Sequence, residues 1–201
     1  MSLTAGVIAV QGDVSEHARM LEAAGRQVGN PVEVREIRQA GIVPECDLLA
    51  MPGGESTAIS RLLEQEGIDS EIISHVEAGN PLLATCAGLI VAARDAHDER
   101  VTNLGVLDIT VDRNAFGRQK DSFETQLSIE GMDEPFHAVF IRAPVIAEVG
   151  DGAEVIAEFE GQPVAVRDGP VVGTAFHPEL TDSTALHERM LFDEARQAAE
   201  Q

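Results

Sequence analysis

The sequence predicts an α/β fold: a doubly wound, mostly parallel sheet with an antiparallel extension. Three observations predict it. Short apolar runs alternate with segments of helical periodicity through the N-terminal half, the order that builds parallel sheets. Glycine turns join several of those runs directly to the helix that follows. From Leu107 onward the apolar period drops to two, the mark of strands with one wet face.

Taken in order, 5–10 reads as a buried strand, and after Gln11-Gly12 the residues Val14, Ala18 and Leu21 mark one face of a helix. Strands are expected at 32–37 and 47–51, and a helix over 57–66 behind the loop Pro52-Gly53-Gly54-Glu55-Ser56. The run 81–85 is a short strand leading straight into Cys86, with a helix at 87–93 behind it. Leu107, Ile109 and Val111 alternate with Asp108, Thr110 and Asp112. Further strands are expected at 138–141, 154–159, 163–166 and 171–175, and a last helix at 183–198 with Leu186, Met190 and Leu191 inward. No repeat, low-complexity tract or linker divides the chain, so residues 1–201 are expected to form one domain.

Composition excludes several function classes. Hydrophobic residues make up 44% and charged residues 24%, a globular composition. The 14 Lys and Arg stand against 35 Asp and Glu, a net charge of −21, and Lys120 is the single lysine. Nucleic acid and anionic membrane surfaces are therefore not expected partners, because both need a basic face. The acidity with lysine depletion suggests a salt-rich cytosol, where charge repulsion is screened. Cys46 and Cys86 are too few for a disulfide framework, which points to a reducing cytoplasm. No run approaches the ~20 apolar residues of a membrane span.

Three motifs carry chemistry. Cys86 sits where a strand meets a helix, in Thr85-Cys86-Ala87-Gly88. A helix N-terminus favours the thiolate, and a sharp strand-to-helix turn would expose the sulfur at the carboxyl edge of the sheet. A buried structural cysteine is the competing reading, and Cys46 takes that reading outright. His177-Pro178-Glu179 follows an apolar strand. Proline holds the preceding residue extended, which would point Glu179 and His177 the same way, as an acid and the base it orients. A strand-end turn with an incidental histidine is the alternative; His17, His75, His97, His137 and His187 are assigned only that ordinary role. The loop Gly53-Gly54 can bring amide N–H groups close to a ligand, supplying an oxyanion donor opposite the N–H of Ala87, or it is an ordinary turn. It lacks the ending of a phosphate loop, and no metal-ligand spacing is present.

These motifs, together with Gln11-Gly12-Asp13, Pro52 to Thr57, Thr85 to Leu89, Arg113 to Gln119, Phe140 to Pro144 and Phe176 to Thr181, resemble a class I glutamine amidotransferase. Within that superfamily they resemble the glutaminase subunit of pyridoxal phosphate synthase, from about Thr4 to the final helix. The resemblance implies a single three-layer α/β/α domain with a flavodoxin-like sheet. It implies Cys86 as nucleophile, His177 as general base and acid, and Glu179 as its orienter. It places L-glutamine against Gly54, Glu55, Ser56, Arg113, Ile141 and Arg142, where two arginines suit a carboxylate; surface ion pairing is what the residues alone would indicate for Arg113 and Arg142. Ala84 stands where many relatives carry glycine.

The activity implied is hydrolysis of glutamine through a cysteine thioester, with ammonia passed to a synthase subunit in a hetero-oligomer that builds pyridoxal phosphate. No cofactor is needed by the glutaminase subunit itself. The competing readings are a stand-alone cysteine hydrolase of the same fold and a non-catalytic regulatory subunit. The resemblance also implies that the isolated chain is a poor glutaminase switched on by its partner; a partner docking near Gln11 and Gly12, on the sheet edge of Cys86, is expected to favour the productive orientation of the Gly53-Gly54 peptide.

Overall fold

The computed structural model describes residues 3–112, 122–193 and 195. Seven strands form the main sheet in the order β10-β11-β12-β4-β3-β1-β2. Its parallel part comprises β1 (Thr4–Ile8), β2 (Glu33–Ile37), β3 (Leu48–Met51), β4 (Leu82–Thr85) and β12 (Val171–Thr174). The antiparallel extension is β11 (Gln162–Asp168) and β10 (Glu154–Phe159). Every residue of β3 and β4 is buried, as expected of apolar strands covered on both faces.

The chain steps from β1 outward to β2 and from β3 the other way to β4. Right-handed crossovers therefore put α1 (Val14–Gln27) on one face and α2 (Ser56–Glu66) with α3 (Ile68–Glu77) on the other. The short α4 (Ala87–Ala92) packs with α2, and the C-terminal helix packs with α1.

The strands at 32–37, 47–51, 81–85, 154–159 and 171–175 are found within about two residues of their expected ends. Several features differ. Helix α3 was not anticipated: Gly67 caps α2 at φ +69 and starts α3 at once, so a residue that reads as a stop is a joint. The strands β5 (Ala93–Asp95), β6 (Leu107–Asp112) and β9 (Val145–Val149) form a separate small sheet, and β7 (Ser122–Leu127) pairs with β8 (Phe136–Ile141) as a ribbon. The last helix is α-helical over Ala185–His187 (α5) and π-helical over Glu188–Phe192, and most of its expected C-terminal part lies outside the described residues. Leu186, Met190 and Leu191 are buried, as their spacing predicts.

Candidate active site

Strands β4 and β12 run side by side with Thr85 opposite Thr174, so their carboxyl ends deliver Cys86 and His177 to the same edge. The Cys86 N–H donates to the Thr174 carbonyl at 2.8 Å, and the Cys86 carbonyl accepts the first α4 bond from Ile90 at 3.2 Å. Between them Cys86 takes φ +50, ψ −106, a backbone state that residues with a Cβ avoid. This is the sharp elbow that the sequence predicts.

Phe176 fixes the other partner. Its buried ring packs 5.6 Å from Phe140 and 5.9 Å from Phe136, and the His177 N–H donates to the Val139 carbonyl on β8 at 2.8 Å. His177 Nδ1 lies 2.7 Å from Glu179 Oε1, the pairing expected. The route differs from expectation: Pro178–Leu180 is a turn of 3₁₀-helix rather than extended chain, and it curls Glu179 back under the ring. Burial pushes the imidazole down, but hydrogen bonds to Cys86 and Glu179 and the charges of both outweigh it and raise His177 to about 10. Burial raises the Glu179 carboxyl, yet His17 and His177 together hold it well below the usual carboxylate range. Cys86 Sγ also lies 3.9 Å from the Ile141 carbonyl oxygen.

The glycine loop meets the end of β1. A Cβ on Gly53 would lie 2.9 Å from His177 Cε1 and 3.3 Å from Cys86 Cβ, so the loop passes close beside both residues. Gly12, at φ +100, touches the same loop from behind: a Cβ there would stand 1.8 Å from the Gly53 carbonyl oxygen. Only glycine fits both conditions. Next to it, Gln11 Oε1 accepts from the Glu55 N–H at 2.8 Å. The first loop therefore buttresses the second.

A cavity of about 510 Å³ opens at this edge, lined by Asp13, Gly54, Glu55, Ser56, Cys86, Ala87, Ile90, Ile141, Arg142, Pro144 and His177. It gathers every expected site residue except Gly53, which abuts it, Glu179, which is buried behind His177, and Arg113, which lies outside the described residues. Arg142 is exposed at φ +44, beside Ile141. The Glu55 carboxylate is turned into the cap of α2, accepting from the Ala58 N–H at 2.8 Å and the Thr57 N–H at 3.3 Å.

Two residues near the pair were missed. Asp13 Oδ2 lies 3.8 Å from His177 Nδ1, a second carboxylate on the solvent side. His17, treated as incidental, lies 3.4 Å from Glu179. His17 lies on the stripe that α1 buries, with Met20, Leu21 and Ala24, but nothing local signals its distant partner. The ligand atoms of Asp13, His177 and Glu179 lie within 4.8 Å of one another, a spacing a cation can use. The 2.7 Å hydrogen bond already joins two of them, which suits a base and its acid better than a metal.

Fold and site define the class: the architecture is that of a class I glutamine amidotransferase. A crystal structure of a glutamine amidotransferase, 42% identical, superposes with a TM-score of 0.86, covering 96% of this chain and 98% of the other. The SNO glutamine amidotransferase family matches residues 7–195, and the chain belongs to that family. The pyridoxal 5'-phosphate synthase subunit PdxT of Halobacterium salinarum is 67% identical over 193 residues, 96% of this chain and 95% of its own length. That of Halorubrum lacusprofundi is 65% identical over 192 residues, with 96% and 98% covered.

Proposed function

We propose that this chain is the glutaminase subunit of a pyridoxal 5'-phosphate synthase, hydrolysing L-glutamine to L-glutamate and handing ammonia to a synthase subunit. The observation that carries the reading is the convergence at the wall of one cavity of Cys86, on its strained elbow, with His177, which Glu179 backs from beneath. Residues 1–201 act as one glutaminase domain. The ammonia acceptor is the partner's substrate, so this subunit needs no cofactor of its own.

In the first half-reaction the Cys86 thiolate attacks the side-chain amide carbon. The N–H groups of Ala87 and of the Gly53-Gly54 loop hold the oxyanion. His177, protonated, gives its proton to the departing nitrogen, and ammonia leaves a γ-glutamyl thioester on Cys86. The neutral imidazole then takes a proton from water as the oxygen adds to the thioester carbon. Collapse expels the thiolate and releases glutamate. Glu179 stays ionised throughout, keeping Nδ1 protonated and Nε2 turned to the sulfur. Ser56 and Arg142 bind the amino-acid end, with Arg113 and the Ile141 carbonyl completing the set.

No helix among the described residues is long and apolar enough to cross a membrane. We place the protein in the cytoplasm, and the net charge of −21 fits a salt-rich one, as do the haloarchaeal relatives. Glutamate release, measured with and without the synthase subunit in matched salt, tests the function. The partner is expected to raise the rate; Cys86→Ala abolishes it, His177→Asn nearly does, and Cys46→Ala leaves it intact. Full activity of the chain alone, or survival of activity in Cys86→Ala, contradicts the reading.

A further inference from the structure

His17 is fully buried on α1, and the reaction described above makes no use of it. Its Nε2 faces two groups at once, the Thr85 hydroxyl at 3.2 Å and Glu179 Oε1 at 3.4 Å. Oε1 is the oxygen that already meets His177 Nδ1 at 2.7 Å. The second oxygen, Oε2, is buried with no hydrogen-bond partner among the described residues. A buried carboxylate is costly unless donors hold it. Here two imidazoles approach the same oxygen.

We propose that His17 is a positioning residue of the active site: its Nε2 N–H, seated against the Thr85 hydroxyl, donates to Glu179 Oε1 and aims that oxygen at His177 Nδ1. The proposal rests on the glutaminase reading. The tautomer follows from the partner, because a carboxylate only accepts hydrogen bonds. Thr85 directly precedes the nucleophile, so a single imidazole ties the strand that carries Cys86 to the turn that carries the acid. Without that tie, His177, the group it is meant to orient, is the one hydrogen-bond partner of the Glu179 carboxylate among the described residues.

The groups that face this cluster come from every element around it. Glu179 approaches from the 3₁₀ turn, with His177 beyond it, and Asp13 reaches His177 from the end of the first loop. From the C-terminal helix comes His187, whose ring stands edge-on 6.2 Å from that of His17. His187 is fully buried and neither of its nitrogens has a partner among the described residues. Burial first, then His17, push it down to about 3, so it backs His17 as an uncharged ring.

The test compares His17→Phe, which fills the space without a donor, with His17→Gln, whose amide N–H reaches the place of Nε2. Each is assayed in complex with the synthase subunit for kcat and KM against pH. Cys86 alkylation by iodoacetamide against pH is followed in parallel by peptide mapping. Burial pushes the Cys46 thiol up to about 11, so alkylation below that range reports Cys86. Because alkylation needs no glutamine turnover, a native chain that alkylates at Cys86 yet releases no glutamate sinks the glutaminase reading while His17 is still judged.

His17→Phe is expected to lower kcat about tenfold or more with KM unchanged. It is also expected to bring the alkaline limb of the profile down by about one pH unit, because the His177 imidazolium is less firmly held. The alkylation profile is displaced as well, and His17→Gln recovers most of each effect. Native kinetics and profiles in His17→Phe, or equal losses in Phe and Gln, overturn the proposal and leave His17 as packing. A third readout needs no variant, and so decides even where a variant does not fold. In ¹⁵N-histidine NMR of the native chain, His17 must carry its proton on Nε2, and an Nδ1–H tautomer refutes the assignment.

Discussion

Gly12→Ala puts the coupling between the two loops to a quantitative test. The new methyl would stand 1.8 Å from the Gly53 carbonyl oxygen and 2.9 Å from its carbon. A carbon-to-oxygen contact relaxes only near about 3.3 Å, so the Gly53 carbonyl must give way by roughly 1.5 Å. It has little room, since Gly53 also lies so near His177 and Cys86 that a Cβ on it would stand 2.9 Å from the His177 ring and 3.3 Å from Cys86 Cβ. The peptide proposed to supply the oxyanion donor therefore tilts. A displacement of about 1 Å costs about 100-fold in rate, as does loss of one oxyanion donor. Holding alanine at φ +100 adds about 1–2 kcal/mol of backbone strain, read as a modest fall in Tm. Gly29→Ala is the control: its φ is +70, but nothing lies within 4 Å of the added Cβ. It should show the Tm loss without the loss of kcat. Glutamate release at saturating synthase subunit, with thermal melting of each variant, gives both numbers. A Gly12→Ala enzyme with kcat within about twofold of native, or a Gly29→Ala enzyme as impaired, refutes the reasoning.

Arg142→Ala should raise KM for glutamine about tenfold or more while changing kcat less, the signature of a lost carboxylate contact, and steady-state kinetics decide it. His187 is held at about 3 in the folded chain against an ordinary 6.5, so it takes up a proton on unfolding between those values. The stability it confers is present above pH 6.5 and lost as the pH falls toward 3. Melting followed from pH 7 down to 4.5 should slope downward in the native chain and flatten in His187→Leu; parallel slopes would remove His187 as the cause. With a net charge of −21, melting in concentrated potassium chloride should exceed that in dilute buffer, and equal stability in both would dispose of the salt-rich reading.

The central sheet was legible because its signals are local. The buried run before Cys86, the turn behind it and the run before His177 each announce themselves within a few residues, and the strands follow as expected. What stayed hidden depends on distant partners. His17 acquires its meaning from Thr85 and Glu179, which no spacing on α1 can reveal. Helix α3 was masked by Gly67, whose left-handed φ serves two helices at once. The His177–Glu179 contact was foreseen, but its geometry was not, because a proline permits both an extended segment and the first turn of a 3₁₀-helix. The capping role of Glu55 was equally hidden: the orphan N–H groups at the start of α2 engage its carboxylate.

The position of β12 has a consequence for how the enzyme is born. It is the last strand in the chain, yet it is laid between β4 and β11, in the interior of the sheet. Chains emerge from the ribosome N-terminus first, so the thiol of Cys86 is made long before the strand that delivers its base. Until Val171–Thr174 slides in, the Thr174 carbonyl that pins the Cys86 N–H is missing, and the elbow keeps only its bond from Ile90 in α4. Such a late, long-range pairing is slow to form. On the proposed mechanism, glutamine breakdown therefore cannot begin on a half-made chain, and the cell's amide nitrogen is spared until a finished subunit exists to deliver it.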